Sequence, residues 1–168
     1  MLTDLWIEDL MTINTDELIR NANSGEKSAM DVLEPRVRTS RPVRVLFVCT
    51  GNINRSAAAE VLARQFTGWV CLSAGLNGKA GHLMSPKMRG LLGVEGFRST
   101  AFTPELAAWA DHLVGFQPSH IAALSSYGKP VHLIGIKDPH FDPSGVRHQE
   151  CIQILREALP LLHREVVG

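Results

Sequence analysis

From residue 43 onward, short apolar runs alternate with stretches in which apolar side chains recur every three or four positions. Val43 to Val48 is apolar except for Arg44, the signature of a parallel strand covered on both faces. Ser56 to Phe66 is rich in alanine and sets Ala58, Val61, Leu62 and Gln65 or Phe66 on one helical face. Trp69 to Leu72 reads as a second strand. Pro86 to Leu92 reads as a helix stopped by Gly93, and Pro104 to Ala110 as another. His112 to Phe116 and Val131 to Ile134 supply two more strands. A long amphipathic helix from Val146 to Leu162 follows, with Ile152, Leu155, Leu159 and Leu162 in register. The pattern predicts an α/β fold: a four-stranded parallel, doubly wound sheet with helices on both faces.

A break falls at residues 35–42, where Pro35 and Pro42 and clustered bases interrupt the pattern. Before it, Thr15 caps one short predicted helix, and Ser28 to Leu33 forms a second that stops at Pro35. Forty residues with two weak helices hardly fold alone, so residues 1–40 are expected to be a helical extension of the domain at 41–168. Trp6, with Leu2, Leu5 and Leu10, offers an apolar face for a partner or for docking on the chain's own domain.

Charge sharpens this division. The 17 basic and 17 acidic residues cancel, but residues 1–40 hold eight acids and four bases, a net −4, and the rest of the chain carries +4. An acidic arm thus precedes a mildly basic domain. At 45% hydrophobic and 20% charged residues, disorder and a collagen-like chain are excluded. No apolar stretch reaches the ~18 residues of a membrane span. Acids sit where an export signal carries bases. Three widely spaced cysteines make neither a disulfide framework nor zinc-ligand spacing. The expectation is a cytoplasmic protein without a membrane or nucleic-acid partner. Cys71, in a strand, and Cys151, on the apolar face of the last helix, are expected in the core. The histidines at 82, 112, 120, 132, 148 and 163 show no ligand spacing and are expected at the surface or in turns.

The chemistry concentrates in Val45-Leu-Phe-Val-Cys49-Thr50-Gly51-Asn52-Ile53-Asn54-Arg55-Ser56. This is a buried strand, a tight loop and a helix start. Gly51 and Asn52 tolerate left-handed backbone angles, so the loop can curl with its amides inward and form an anion cradle at the helix N-terminus. Cys49 ends the strand in that field, which favours its thiolate. Arg55 brings a planar fork matched to two phosphate oxygens. A nucleophile, a cradle and a bidentate cation within a few residues point to phosphoryl transfer.

The segment resembles the signature loop of the low-molecular-weight protein tyrosine phosphatases, V-C-x-G-N-x-C-R-S. The resemblance covers about residues 43–165 and extends to Ser73-Ala74-Gly75, Gly93-Val94, Arg98-Ser99, Ala110-Asp111 and Asp138-Pro139. It implies a metal-free, cofactor-free phosphomonoester hydrolase working through a phosphocysteine on Cys49, with a phosphorylated protein or small molecule as partner. Arg55 and the loop from Thr50 to Asn54 would hold the phosphoryl oxygens. Ser56 would hydrogen-bond the sulfur, and Asn52 would brace the loop with Ser73. Asp138 would protonate the leaving oxygen and then activate water. Asp142-Pro143 is a second Asp-Pro pair four residues on, and both aspartates stay in play.

The chain also departs from the family's pattern. Asn54 stands where many members carry a second cysteine that protects the nucleophile, and Phe97 where many carry a loop-bracing histidine. Ile53 occupies a position at which the phosphoarginine branch tends to have threonine. Leu76 to Ala80 contains no aromatic residue, so only His140 and Phe141 are left to wall a slot for a phenyl ring. Two other functions remain in view. One is a phosphate-binding interaction module with weak catalysis. The other is a thiol-dependent arsenate reductase, which needs two further cysteines shortly after residue 75 where this chain has none before Cys151.

Overall fold

The computed structural model describes residues 41–168, so the helices and docking face expected for residues 1–40 lie outside the described residues. Strand β1 (Val43–Cys49) is buried from Val45 onward, because it lies inside a four-stranded sheet of order β2-β1-β3-β4. Strand β2 is Trp69–Gly75, β3 is His112–Gly115 and β4 is Val131–Leu133. The sheet is parallel, with Leu46 opposite Leu113 and Val114 opposite His132.

Alternation along β1 sends its side chains to two cores. Leu46 and Val48 join Ala74, Leu113, Ala107 and Leu124 on one face. Phe47 points to the other, edge-on to Trp69 at 6.4 Å and stacked with Phe116 at 6.3 Å. Helix α1 (Arg55–Ala63) buries Ala57, Ala58, Ala59 and Ala63, small residues that let it lie close to β2 and to the last helix. Helices α2 (Pro86–Leu92) and α3 (Pro104–Trp109) each start with proline, and the Thr103 hydroxyl caps α3 by accepting from Leu106 N at 3.2 Å. Helix α4 is Pro118–Leu124, followed by a 3₁₀ turn at Ser125–Tyr127, and helix α5 is Val146–Val167. Among the described residues no helix is long and apolar enough to cross a membrane.

Several boundaries differ from expectation, each for a tertiary reason. Helix α1 ends at Ala63 and not Phe66, because Phe66 turns to meet Trp69 and His163 at 6.1 and 5.2 Å. Strand β2 runs on through Ser73-Ala74-Gly75, where Gly75 pairs with Ala101. Helix α5 continues to Val167, past Pro160. Helix α4 has no counterpart among the expected elements.

His82 is exposed as expected, but other histidines depart from a surface role. His120 and His148 are buried. His112 and His132 bond to each other at 3.0 Å across β3 and β4, and His163 packs edge-on to Trp69 at 4.9 Å. Cys151 is fully buried as expected, and burial pushes its thiol up to about 12. Cys71 is only half-buried, yet desolvation and the neighbouring Glu60 raise its thiol well above the usual range.

Candidate active site

The strand order places the chain's direction change between β1 and β3, where the connections leave for opposite edges of the sheet. A crevice opens at the carboxyl ends of these strands, the place where open α/β sheets bind ligands. Cys49 closes β1 there, and the loop Thr50–Asn54 leads straight into α1 at Arg55.

The loop turns on Asn52, which has φ 56° and is the one non-glycine residue in the left-handed region among the described residues. Gly51, which tolerates that conformation, does not adopt it. The Asn52 side chain explains why asparagine sits here. Its Nδ2 donates to Ser56 Oγ at 2.8 Å and Ser73 Oγ at 2.9 Å, and its Oδ1 accepts from Thr100 N at 2.8 Å. Ser73 in turn donates to Glu60 at 3.1 Å, and Arg64 holds Glu60 at 2.7 Å. Burial raises the Glu60 carboxyl above its usual range, against the pull of Arg64. The network closes through the Thr100 amide, and Phe97 is buried.

Cys49 Sγ lies 2.8 Å from Ser56 Oγ and accepts from Asn52 N at 3.3 Å. Ser56 Oγ accepts from Asn52, and its single proton has two acceptors in reach, Cys49 Sγ at 2.8 Å and Ala74 O at 3.4 Å, of which the sulfur is the nearer. Asn54 serves the scaffold: its Oδ1 accepts from Ser85 Oγ, and Ser85 N donates to Ile53 O at 3.0 Å, tying the loop to the start of α2.

Arg55 is 2% exposed. Its Nη1 donates to Gln117 Oε1 at 2.7 Å and to Ile136 O at 3.1 Å, and its Nη2 lies 3.6 Å from Asp138 Oδ2. Cys49, Arg55 and Asp138 line one cavity of about 240 Å³, with Ile53, His140 and Phe141 also on its wall. Thr50, Gly51 and Asn54 complete the lining, whereas Ser56, Asn52 and Ser73 stand behind the loop. The two aspartates separate clearly. Asp142 accepts from Ser144 N, Ser144 Oγ and Arg147 N at 3.0, 2.6 and 2.8 Å, and so caps the start of α5. Those bonds, the Ser144 hydroxyl first, pull its carboxyl down to about 2. Asp142 is absent from the lining of this cavity.

Sequence reasoning missed Gln117 and His120, both at the start of α4. His120 Nδ1 accepts from Phe116 N at 3.0 Å, so the ring proton sits on Nε2 and is donated to Thr50 Oγ1 at 3.1 Å. Burial, and then the charge of Arg55, lower this imidazole to about 4 and keep it neutral. The available signal was Pro118, the same first-turn proline that marked α2 and α3.

Comparison with known proteins agrees with this geometry. A family model described as low molecular weight phosphotyrosine protein phosphatase matches residues 44–167. The YwlE arginine phosphatase from Geobacillus stearothermophilus is 25% identical with a TM-score of 0.62, over 74% of this chain and 95% of that one. The tyrosine phosphatase Wzb from Escherichia coli K30, solved with sulphate, is 27% identical with a TM-score of 0.64, over 73% and 96%. Wzb of Vibrio vulnificus, solved with benzylphosphonate, is 23% identical with a TM-score of 0.65 over 73% and 98%, and shares the fold. A search of curated protein sequences gives no match. With a buried cysteine and arginine framing one cavity at the end of β1, the chain belongs to the low molecular weight phosphotyrosine protein phosphatase family and is a cysteine-dependent phosphatase of that type.

Proposed function

We propose that the protein hydrolyses aryl phosphate monoesters, tyrosine phosphate among them, with Cys49 as nucleophile, Arg55 as phosphate clamp and Asp138 as proton donor and acceptor. One observation carries the reading: Cys49, Arg55 and Asp138 line a single cavity of about 240 Å³. As the thiolate, Cys49 Sγ attacks phosphorus, the S–P bond forms, and the ester P–O bond breaks. Asp138, as the carboxylic acid, gives its proton to the departing oxygen. Water then attacks phosphorus, Asp138 takes its proton, the S–P bond breaks, and inorganic phosphate leaves. Through both steps Arg55 and the loop from Thr50 to Asn54 hold the equatorial oxygens, and Ser56 donates to the sulfur as nucleophile and as leaving group. Asn52 and Ser73 act by positioning the loop.

Ile53 and Phe141 favour an aryl ester over phosphoarginine. Ile53 offers carbon where a guanidinium would need an acceptor, and Phe141, 87% exposed beside His140, presents a ring face at the rim. The test compares p-nitrophenyl phosphate, phosphotyrosine and phosphoarginine at mildly acid pH with wild-type protein and Cys49→Ser. The expected result is turnover of the two aryl esters, lost in the variant. Equal, negligible rates in both proteins would favour the phosphate-binding module, and hydrolysis of phosphoarginine alone would overturn the substrate class.

A further inference from the structure

Beside the cavity that holds Cys49 lies a larger cleft, about 750 Å³, between the segment 82–89 and the loop 140–143. Ile53, His140 and Phe141 line both, so the cleft continues outward from the reaction cavity past that shared wall. None of the residues assigned a chemical step faces it. Its volume lies within the range of ligand sites, ~300–1,000 Å³.

Its charge balance leans positive. Lys87 and Arg89 line it, together with His82, His140 and His148, and the one carboxylate on its wall is that of Asp142. Ser144 and Arg147 hold that carboxylate ionised at the start of α5, so it offsets one of the two cations. Lys87 Nζ donates to Pro143 O and keeps further donor positions. Arg89 reaches the exposed Glu95 only at 3.9 Å through Nη1, and its Nε is buried without a partner. His148 is 3% exposed and lines the cleft, with a buried Nδ1 that also has no partner. Buried nitrogens without partners are uncommon in a folded interior and mark places where a ligand atom or water completes the bonding. The walls between these groups are apolar: Leu83, Met84, Pro86 and Pro143.

Resting on the phosphatase reading above, we propose that this cleft takes the peptide flanking a phosphotyrosine and recognises an acidic side chain there. Charge complementarity and continuity with the reaction cavity select this occupant. An ester substituent that leaves the cavity of Arg55 past the shared wall at Phe141 comes to the cleft that Lys87 and Arg89 line. A carboxylate in the cleft meets Lys87 and Arg89 against the single charge of Asp142, whereas a lysine side chain there meets an excess of like charge.

The experiment uses three short phosphotyrosyl peptides that differ in one flanking residue, glutamate, glutamine or lysine. The quantity read is the ratio of kcat/KM between peptides within each protein, so a general change of activity cancels. Wild type is expected to favour the glutamate peptide over glutamine by about fivefold at low salt, the size of a partly exposed ion pair, and the preference shrinks as salt is raised. In Lys87→Glu the order inverts towards the lysine peptide. This substitution is compatible with folding, since an acid in the first turn of α2 suits the helix dipole. Arg89→Gln serves as a second variant and reduces the ratio without inverting it. Peptide ratios within twofold of one in wild type, or an acidic preference that survives Lys87→Glu, would overturn the proposal. Failure of the phosphatase reading is seen separately, as absent turnover of p-nitrophenyl phosphate. In that event fluorescence anisotropy of the same peptides on Cys49→Ser still reads the charge preference of the cleft.

Discussion

Gly75 ends β2 with its α-carbon against the loop that carries Cys49, and replacing it with alanine has a calculable effect. A β-carbon there would stand 2.8 Å from Gly51 C and 2.9 Å from both Asn52 N and Thr50 O. Ordinary contact begins near 3.4 Å, so the shortfall is about 0.5 Å against three backbone atoms at once. The loop has little freedom to yield. Leu76 N donates to Cys49 O and Asn77 N to Thr50 O, each at 2.9 Å, which pins the residues after Gly75 to the same loop. Overpacking of this kind costs about 1–3 kcal/mol. In a domain of this size that corresponds to a fall in Tm of roughly 2–10 °C. The functional loss is larger. A displacement of reacting groups approaching 1 Å lowers rates by up to about 100-fold, so Gly75→Ala is expected to reduce kcat/KM on p-nitrophenyl phosphate by roughly 10- to 100-fold. Gly90, within α2, is the control, since a β-carbon there meets nothing within 4 Å. Gly90→Ala should raise stability by up to about 1 kcal/mol and leave kcat/KM alone. Steady-state kinetics and thermal melts on the three proteins decide the matter. A Gly75→Ala protein with wild-type kcat/KM and Tm would refute the claim that the close approach of β2 sets the loop.

Other expectations follow from the site. Asp138→Asn should lower kcat by about 100-fold or more, most for poor leaving groups, as loss of a general acid does. Asp142→Ala should keep most of the wild-type activity and lower Tm, since it removes the cap of α5; the reverse pattern in a kinetic and melting comparison would exchange their roles. His120 is held neutral in the fold, to about 4, so between the ordinary histidine value and that point the unfolded chain binds the extra proton. Its contribution is present at higher pH and lost as pH falls from about 6.5 towards 4. Urea unfolding across this range should therefore show a steeper loss in wild type than in His120→Asn, and parallel curves would remove His120 from that account.

Local information decided what could be read from the sequence. β1 was legible because both its faces are covered, and α2 and α3 because proline opens each one. The stretch Cys49–Ser56 was legible as a site because nucleophile, turn and cation are covalent neighbours, and sterics and dipoles act at that range. The supports of Arg55 were not. Gln117 and the Ile136 carbonyl lie 62 and 81 residues away, and only the placement of β3 beside β1 brings them in. Helix α4 opens on Pro118 as α2 and α3 open on proline, so the same local signal was present there and its omission has no basis in length. Two Asp-Pro pairs look alike as dipeptides. What separates them is the Ser144 hydroxyl and the first turn of α5, which capture Asp142 and leave Asp138 facing Arg55.

The loop is gripped from two sides, and the grips do not share a residue. On the β2 side, Ser73 and Thr100 hold Asn52, which with Ser56 fixes the sulfur. On the β3 side, Gln117 and Ile136 hold the guanidinium, and His120 holds Thr50. Aim of the nucleophile and placement of positive charge are thus separate mechanical tasks, each with its own abutment. Damage to one abutment degrades one task and leaves the other standing, so defects such as Ser73→Ala and Gln117→Ala combine as independent losses in a double-mutant cycle. The crevice behaves less like a single pocket than like a vice with two jaws, each adjustable without disturbing the other.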